Sequence, residues 1–279
     1  MKGFTTLQIL DHRHGRLGNQ LFRVATIIGQ AIKNNSSFFV PSEWEHAKLF
    51  PNLPTRSSVK IKSNISLTHK ESKFGIHNIP TSDKLVEIVG YFQSSLFFDD
   101  YEKKVLEYLV FDPTIIEKVN SKMNQNSKKL SIHIRWGDQY DRKFGGGHKG
   151  VEHRHPVLTL EYYQRSIEDI LSKKSIDEIC IFTDNEDTKE FIFGKFEKYQ
   201  KPITYFDYSD DYISDFIAQS LCDHFIIANS TFSWWAAYLS KSTDKLVYCP
   251  YPDEWFGPDY QSFDTNALTP ERWIKIRQK

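Results

Sequence analysis

The stretch SIHIRWGDQY, residues 131–140, sets a histidine, an arginine and an aspartate at the end of what reads as a half-buried strand. Ile132 and Ile134 alternate with His133 and Arg135; Gly137 then breaks the run and Asp138 follows. The planar guanidinium of a strand-end arginine suits two-pronged binding of phosphate or carboxylate. The plainer reading is an Arg135–Asp138 ion pair that fixes the turn. Three other stretches have the same character. In GRLGNQ (15–20), Gly15 and Gly18 permit a tight turn and close approach of backbone to a ligand. Asn19 then stands at a helix start, where free N–H groups favour an anion, or where it serves only as the N-cap. Asn229, Ser230 and Thr231 precede FSWWAAYL, and three small polar residues at a helix N-terminus make a phosphate cradle or a plain cap. Thr183, Asp184 and Asn185 end a further apolar run and read as site residues or as an Asx turn.

These residues need elements to hold them. FTTLQIL reads as a first strand, and a helix is expected from Asn19, with Leu21, Val24, Ala25, Ile28, Ala31 and Ile32 on one face. Residues 34–84 support few assignments. KLVEIVGYF (84–92) predicts a strand and residues 99–109 a helix, while the aperiodic polar stretch NSKMNQNSKK (120–129) marks a domain junction. Beyond it strands at 130–135, 178–183, 203–206, 224–228 and 245–249 alternate with helices at 159–172, 186–198, 212–221 and 231–240. That alternation predicts an α/β fold with a parallel sheet, which binds ligands beyond the carboxyl ends of its strands. The four stretches fall at such ends. Neither Gly-x-x-x-x-Gly-Lys-Ser/Thr nor Gly-x-Gly-x-x-Gly occurs, which disfavours a P-loop NTPase or a dinucleotide dehydrogenase. A nucleoside diphosphate carrying a leaving group fits.

The 279 residues carry 36 basic and 36 acidic side chains, and a net charge of zero argues against nucleic acid as a partner. Cys180, Cys222 and Cys249 lie in or beside apolar runs and read as buried free thiols. The N-terminus lacks the apolar core of a signal peptide, and no run reaches the ~20 apolar residues of a membrane helix, so a cytoplasmic protein is expected. His148, His153 and His155 lie in a glycine-rich loop without companion acids, and no metal site is expected. The loop 141–156 reads either as a lid closing over a ligand through Arg142, Lys143 and Arg154 or as an exposed segment.

GRLGNQLF, GYFQSSLFF (90–98), HIRWGDQY (133–140), FTDN (182–185) and IIANSTFSWWAAYL (226–239) stand in the order and approximate spacing of the α-1,2-fucosyltransferases, glycosyltransferase family 11, which the chain resembles over most of its length. LTLEYYQRSIEDI is similar to the family's Tyr-Tyr helix. The resemblance implies a GT-B-like fold, two Rossmann-like α/β domains facing across a cleft: an acceptor-side domain over 1–125, a nucleotide-sugar domain over 126–260 and a helical tail over 261–279. It implies inverting, metal-independent transfer of fucose from GDP-β-L-fucose, a co-substrate and not a cofactor, to the 2-hydroxyl of a galactoside. The acceptor would be a galactose-containing glycan, lipid-linked at the inner face of a membrane. The catalytic candidates are Arg135, Asp138 and Asn19, and the donor candidates His133, Arg135, Asn229, Ser230, Thr231, Phe232, Asp184 and Gly18. Of these the resemblance implies Arg135 on the pyrophosphate, His133 against the guanosine, Asn19 in the cleft and Ser230 and Thr231 on phosphate oxygens. Asp138 is the first candidate base, with Glu152, His153 and Asp11 in reserve, and a dissociative path needs none. The chain departs from the family at Trp136, where a second arginine is usual. Rival readings are a transferase for another nucleotide sugar and a glycan-binding relative without turnover.

Overall fold

The computed structural model describes residues 2–135, 154–183, 194–207 and 211–279. They form two compact units, Met1–Ile116 with Phe263–Pro270, and Glu117–Ser262 with Glu271–Lys279. In the first, β1 (Gly3–Thr5), β2 (Ser37–Pro41), β3 (Thr55–Arg56), β4 (Ile65–Lys70) and β5 (Leu85–Val89) make a parallel sheet in the order β3-β2-β1-β5-β4. The helix α1 (Leu17–Lys33) links β1 to β2. Its Leu21, Phe22, Val24, Ala25 and Ile28 are fully buried, as are the polar Gln20 and Arg23. Buried polar groups require partners: Gln20 Oε1 accepts from Trp44 Nε1 at 2.8 Å. Two short helices follow, α2 (Ser58–Lys62) and α3 (Glu102–Tyr108), and the boundary between the units falls within α4 (Pro113–Asn120).

In the second unit β6 (Lys129–Ile134), β7 (Glu178–Thr183), β8 (Ile203–Asp207), β9 (His224–Ile226), β10 (Val247–Pro250) and β11 (Ile274–Ile276) lie parallel in the order β11-β10-β9-β6-β7-β8. Counted within the unit the strands run 3-2-1-4-5-6, the doubly wound order whose direction reverses between the first and fourth strands, here β6 and β9. The helices are α5 (Leu160–Lys173), α6 (Tyr212–Ser220) and α7 (Thr231–Leu239). Leu130, Ile132 and Ile134 of β6 pack with Tyr162, Tyr163, Ile167 and Ile170 of α5 and Ile179 and Ile181 of β7 in one core. The α/β expectation and the two Rossmann-like parallel-sheet units of a GT-B protein are both present.

The differences from expectation have local causes. All six residues of β6 are buried, so its alternation of apolar and polar residues does not mark a solvent face; a central parallel strand is covered on both sides. The first strand stops at Thr5 and α1 begins at Leu17, before Asn19. The 34–84 region holds β2, β3, α2 and β4, of which β4 is exposed or half-buried throughout and offers only Ile65 and Leu67 as a hydrophobic signal. The expected helix at 186–198 falls largely outside the described residues, and its end is a 3₁₀ turn, Glu197–Tyr199. The expected helical tail is a correction. Residues 261–279 contain no helix; 263–270 belong to the first unit, and Ile274–Ile276 pairs with β10 as an edge strand. Ile274 and Ile276 alternate with Lys275 and Arg277, a strand pattern, and buried Trp273 packs on Trp234 with ring centroids 5.1 Å apart. Among the described residues no helix is long and apolar enough to cross a membrane.

Candidate functional site

At the reversal point of the second sheet, Arg135 follows β6 and Asn229 follows β9. Arg135 Nη1 donates to the Asn229 carbonyl at 3.4 Å, joining the two strand ends. The Asn229 side chain is 2% exposed, and its amide donates to the Pro156 and Trp255 carbonyls at 2.8 and 3.1 Å, which ties three loops together. Ser230 caps α7: its hydroxyl accepts the Phe232 N–H at 3.3 Å. The cap reading therefore holds for Ser230, and Thr231 opens the helix. A guanidinium thus stands within hydrogen-bonding reach of the residue that precedes a helix N-cap, so an ionic charge and a helix dipole of the same sign converge.

His133 lies on β6, 3% exposed, with its ring 5.9 Å from that of Phe232, which meets Phe216 at 5.0 Å. Burial, and then the Arg135 guanidinium, hold its pKa down to about 3, so the imidazole is neutral. The paired tyrosines of α5 fix both strand ends. Tyr163 donates to the His133 carbonyl at 3.1 Å, and Tyr162 to the Ile227 carbonyl at 2.7 Å and the Tyr248 carbonyl at 3.3 Å. Arg154, expected in a lid, pairs with Asp259 at 3.4 Å. Trp136, Asp138, Glu152, His153 and Asp184 lie outside the described residues.

The first sheet reverses between β1 and β5, and Asn19 sits there. It is not the N-cap: Arg16 is, without a side-chain cap, so the Asn19 amide is spared that duty. The turn is made by Gly15 at φ +105°, and a Cβ on it would stand 2.2 Å from Asn19 Nδ2. Gly18, expected in the turn, is inside α1 and buried. Asn19 Oδ1 accepts from Gln93 Nε2 at 2.8 Å. Arg23, one helical turn on, donates from Nε to the Gly90 carbonyl at 2.5 Å and from Nη2 to the His14 carbonyl, stitching the loop after β1 to the loop after β5. It is fully buried, and burial lowers its pKa to about 10. Sequence reasoning missed Arg23 and Gln93; the available signal was one charged residue within the run LFRVATII of α1, which is buried on nearly every side. Asp11, a reserve base, is held down to about 2 by hydrogen bonds from Arg13, which makes it a weak base.

A family model described as Glycosyl transferase family 11 matches residues 6–276. The chain is 29% identical to an alpha-1,2-colitosyltransferase of Escherichia coli, over 95% of this chain and 97% of that protein. It is 26% identical to a galactoside 2-alpha-L-fucosyltransferase of Caenorhabditis elegans, over 97% and 77% of the two chains. It is also 26% identical to the O-antigen biosynthesis glycosyltransferase WbnK of Escherichia coli, over 68% of this chain but only 60% of that protein. Among solved structures, POFUT1 in complex with GDP-fucose superposes with a TM-score of 0.50 at 10% identity, covering 98% of this chain and 97% of that one.

Proposed function

Since the chain belongs to glycosyltransferase family 11, we propose that it transfers L-fucose from GDP-β-L-fucose to the 2-hydroxyl of a galactoside, with inversion and without a metal. The observation that carries this reading is the Arg135–Asn229 bridge ahead of the α7 N-terminus. In the reaction the acceptor oxygen bonds to the anomeric carbon as the carbon–oxygen bond to GDP breaks, and the acceptor's proton passes to a base or to solvent. Negative charge grows on the pyrophosphate and is met by donors already in place, and such preorganised donors are the main source of rate in a site of this kind. Arg135, the Thr231 hydroxyl and the backbone N–H groups opening α7 are those donors. Neutral His133 and Phe232 form an aromatic wall beside them on which a base can rest. Asp138 takes the acceptor's proton, and Asn19 hydrogen-bonds a substrate oxygen. The acceptor is a galactose-containing glycan, lipid-linked at a cytoplasmic membrane face, bound on the acceptor-side first unit.

The test is thermal unfolding with GDP, UDP or CMP in the presence of chelator, followed by transfer assays with GDP-fucose. A ligand at a hundred times its Kd adds about 2.7 kcal/mol of apparent stability. Stabilisation by GDP alone and fucosylation of lactose support the reading. Stabilisation by UDP overturns the donor, and GDP binding without turnover favours a glycan-binding relative. A second donor is favoured by the 29% identity to the colitosyltransferase over nearly the whole of both chains: faster transfer from GDP-colitose than from GDP-fucose would make that sugar the substrate.

A further inference from the structure

Residues 90–93, beyond the carboxyl end of β5, adopt a conformation that the chain does not favour by itself. Gly90 has φ +155° and Phe92 φ +51°. For a bulky side chain a left-handed backbone costs about 1–3 kcal/mol and persists only where the surroundings impose it. Three side chains from distant stretches impose it here. Gln8 Oε1 accepts the Gly90 N–H at 2.7 Å, and Arg23 Nε donates to the Gly90 carbonyl at 2.5 Å. The Glu71 carboxylate accepts the N–H of Tyr91 at 2.6 Å and that of Phe92 at 3.3 Å. The Phe92 ring is fully buried and anchors the turn. The residue delivered by this loop is Gln93, whose Nε2 donates to Asn19 Oδ1 at 2.8 Å.

An asparagine amide free to flip offers a substrate either an acceptor or donors. Here the oxygen is taken by Gln93, and the nitrogen lies over Gly15, where a side chain has no room. The pair holds the oxygen towards Gln93 and the N–H groups away from it for as long as Gln93 presents its Nε2. We infer that Gln93 is a positioning residue that fixes the Asn19 amide as a donor to a substrate oxygen, and that the strained 90–92 turn exists to hold it there. The inference rests on the proposed role of Asn19 in transfer.

Gln93→Glu keeps the size of the side chain and exchanges its donor for an acceptor, which turns the Asn19 amide round. The expected result is a loss of about tenfold or more in kcat, with unchanged melting temperature, unchanged stabilisation by GDP, and less than about twofold further loss when the change is made in an Asn19→Ala background. An equal loss in both backgrounds, or no loss in either, overturns the inference. A second readout needs no turnover: the Asn19 side-chain amide signals in a ¹H–¹⁵N spectrum, identified by their absence in Asn19→Ala, move in Gln93→Glu if the two amides are coupled and stay if they are not. Moved signals in a wild-type protein that transfers no fucose would sustain the coupling and sink the proposed function.

Discussion

The two reversal points of this protein are built by opposite means. In the second unit, regular elements do most of the work: β6 and β9 end side by side and Ser230 caps α7, with the tyrosines of α5 and the Asn229 amide adding bonds to the strand ends and loops. In the first unit the strands stop early, and side chains reach across long stretches of sequence to irregular backbone, Arg23 to Gly90 and Glu71 to Tyr91, and to one another, Gln93 to Asn19. The first kind of site is rigid because its secondary structure is rigid. The second depends on individual polar side chains, and each can be removed by itself. Removal of a donor group at the ends of β6 and β9 should therefore change GDP binding while loss of a supporting bond there should not, and substitutions around β1 and β5 should change turnover with GDP binding intact.

The largest effect expected is that of Arg135→Ala. Loss of the guanidinium should lower kcat/KM by about two orders of magnitude or more, ~3 kcal/mol, and abolish stabilisation by GDP. Steady-state kinetics and thermal unfolding with GDP measure both. Near-normal turnover would remove Arg135 from the donor site and with it the contrast between the two units.

Gly15→Ala probes the other side. The residue would have to keep φ +105° with its Cβ 2.2 Å from Asn19 Nδ2, so a loss of about 1–3 kcal/mol in stability is expected, together with a kcat loss from the displaced Asn19. Denaturant unfolding gives the first and assay at saturating donor the second. The variant should still be stabilised by GDP to the same extent as wild type. Loss of that stabilisation would mean that the two reversal points are not separable in function.

The legibility of the two regions differed for the same reason their construction does. β6, β7, α5, α6 and α7 showed in the sequence because they are buried and regular, and periodicity records burial. Arg135, Ser230 and Thr231 were found because they stand where such elements end. Gln93 lay inside a stretch that matched the family, yet nothing local marked it, because its partner is Asn19, far back in the chain. Arg23 was hidden on the polar side of α1, a side that is buried all the same, and β4 offers only Ile65 and Leu67, in a strand that is poorly buried. The tail from 261 to 279 read as a helix while its alternating Ile274 and Ile276 belonged to an edge strand. What sequence could not supply was the set of hydrogen bonds between distant side chains and backbone.

A smaller effect is expected from acid. The folded-state pKa of His133, about 3, lies below the ordinary value of 6.5, so the unfolded chain takes up the proton first. The stability this group contributes is whole above pH 6.5 and is lost as pH falls towards 3, which amounts to about 2 kcal/mol near pH 5. Unfolding free energies measured from neutral pH downwards should fall less steeply in His133→Phe than in wild type. Identical slopes would show that His133 is protonated in the folded protein and that β6 is looser than its burial implies.

The smallest effect separates the rigid scaffold from its individual bonds. Tyr163→Phe removes one buried hydroxyl that donates to the His133 carbonyl at 3.1 Å, and a single hydrogen bond of this kind contributes about 1 kcal/mol. Because the β6 backbone is also held by its ladders to β7 and β9, the strand end should stay in place, and stabilisation by GDP should match wild type. Tyr162→Phe, which frees the carbonyls of both Ile227 and Tyr248, should cost more stability. If Tyr163→Phe instead weakened GDP binding about tenfold, the donor site would rest on single side-chain bonds as the β1/β5 site does, and the contrast drawn between the two units would fail.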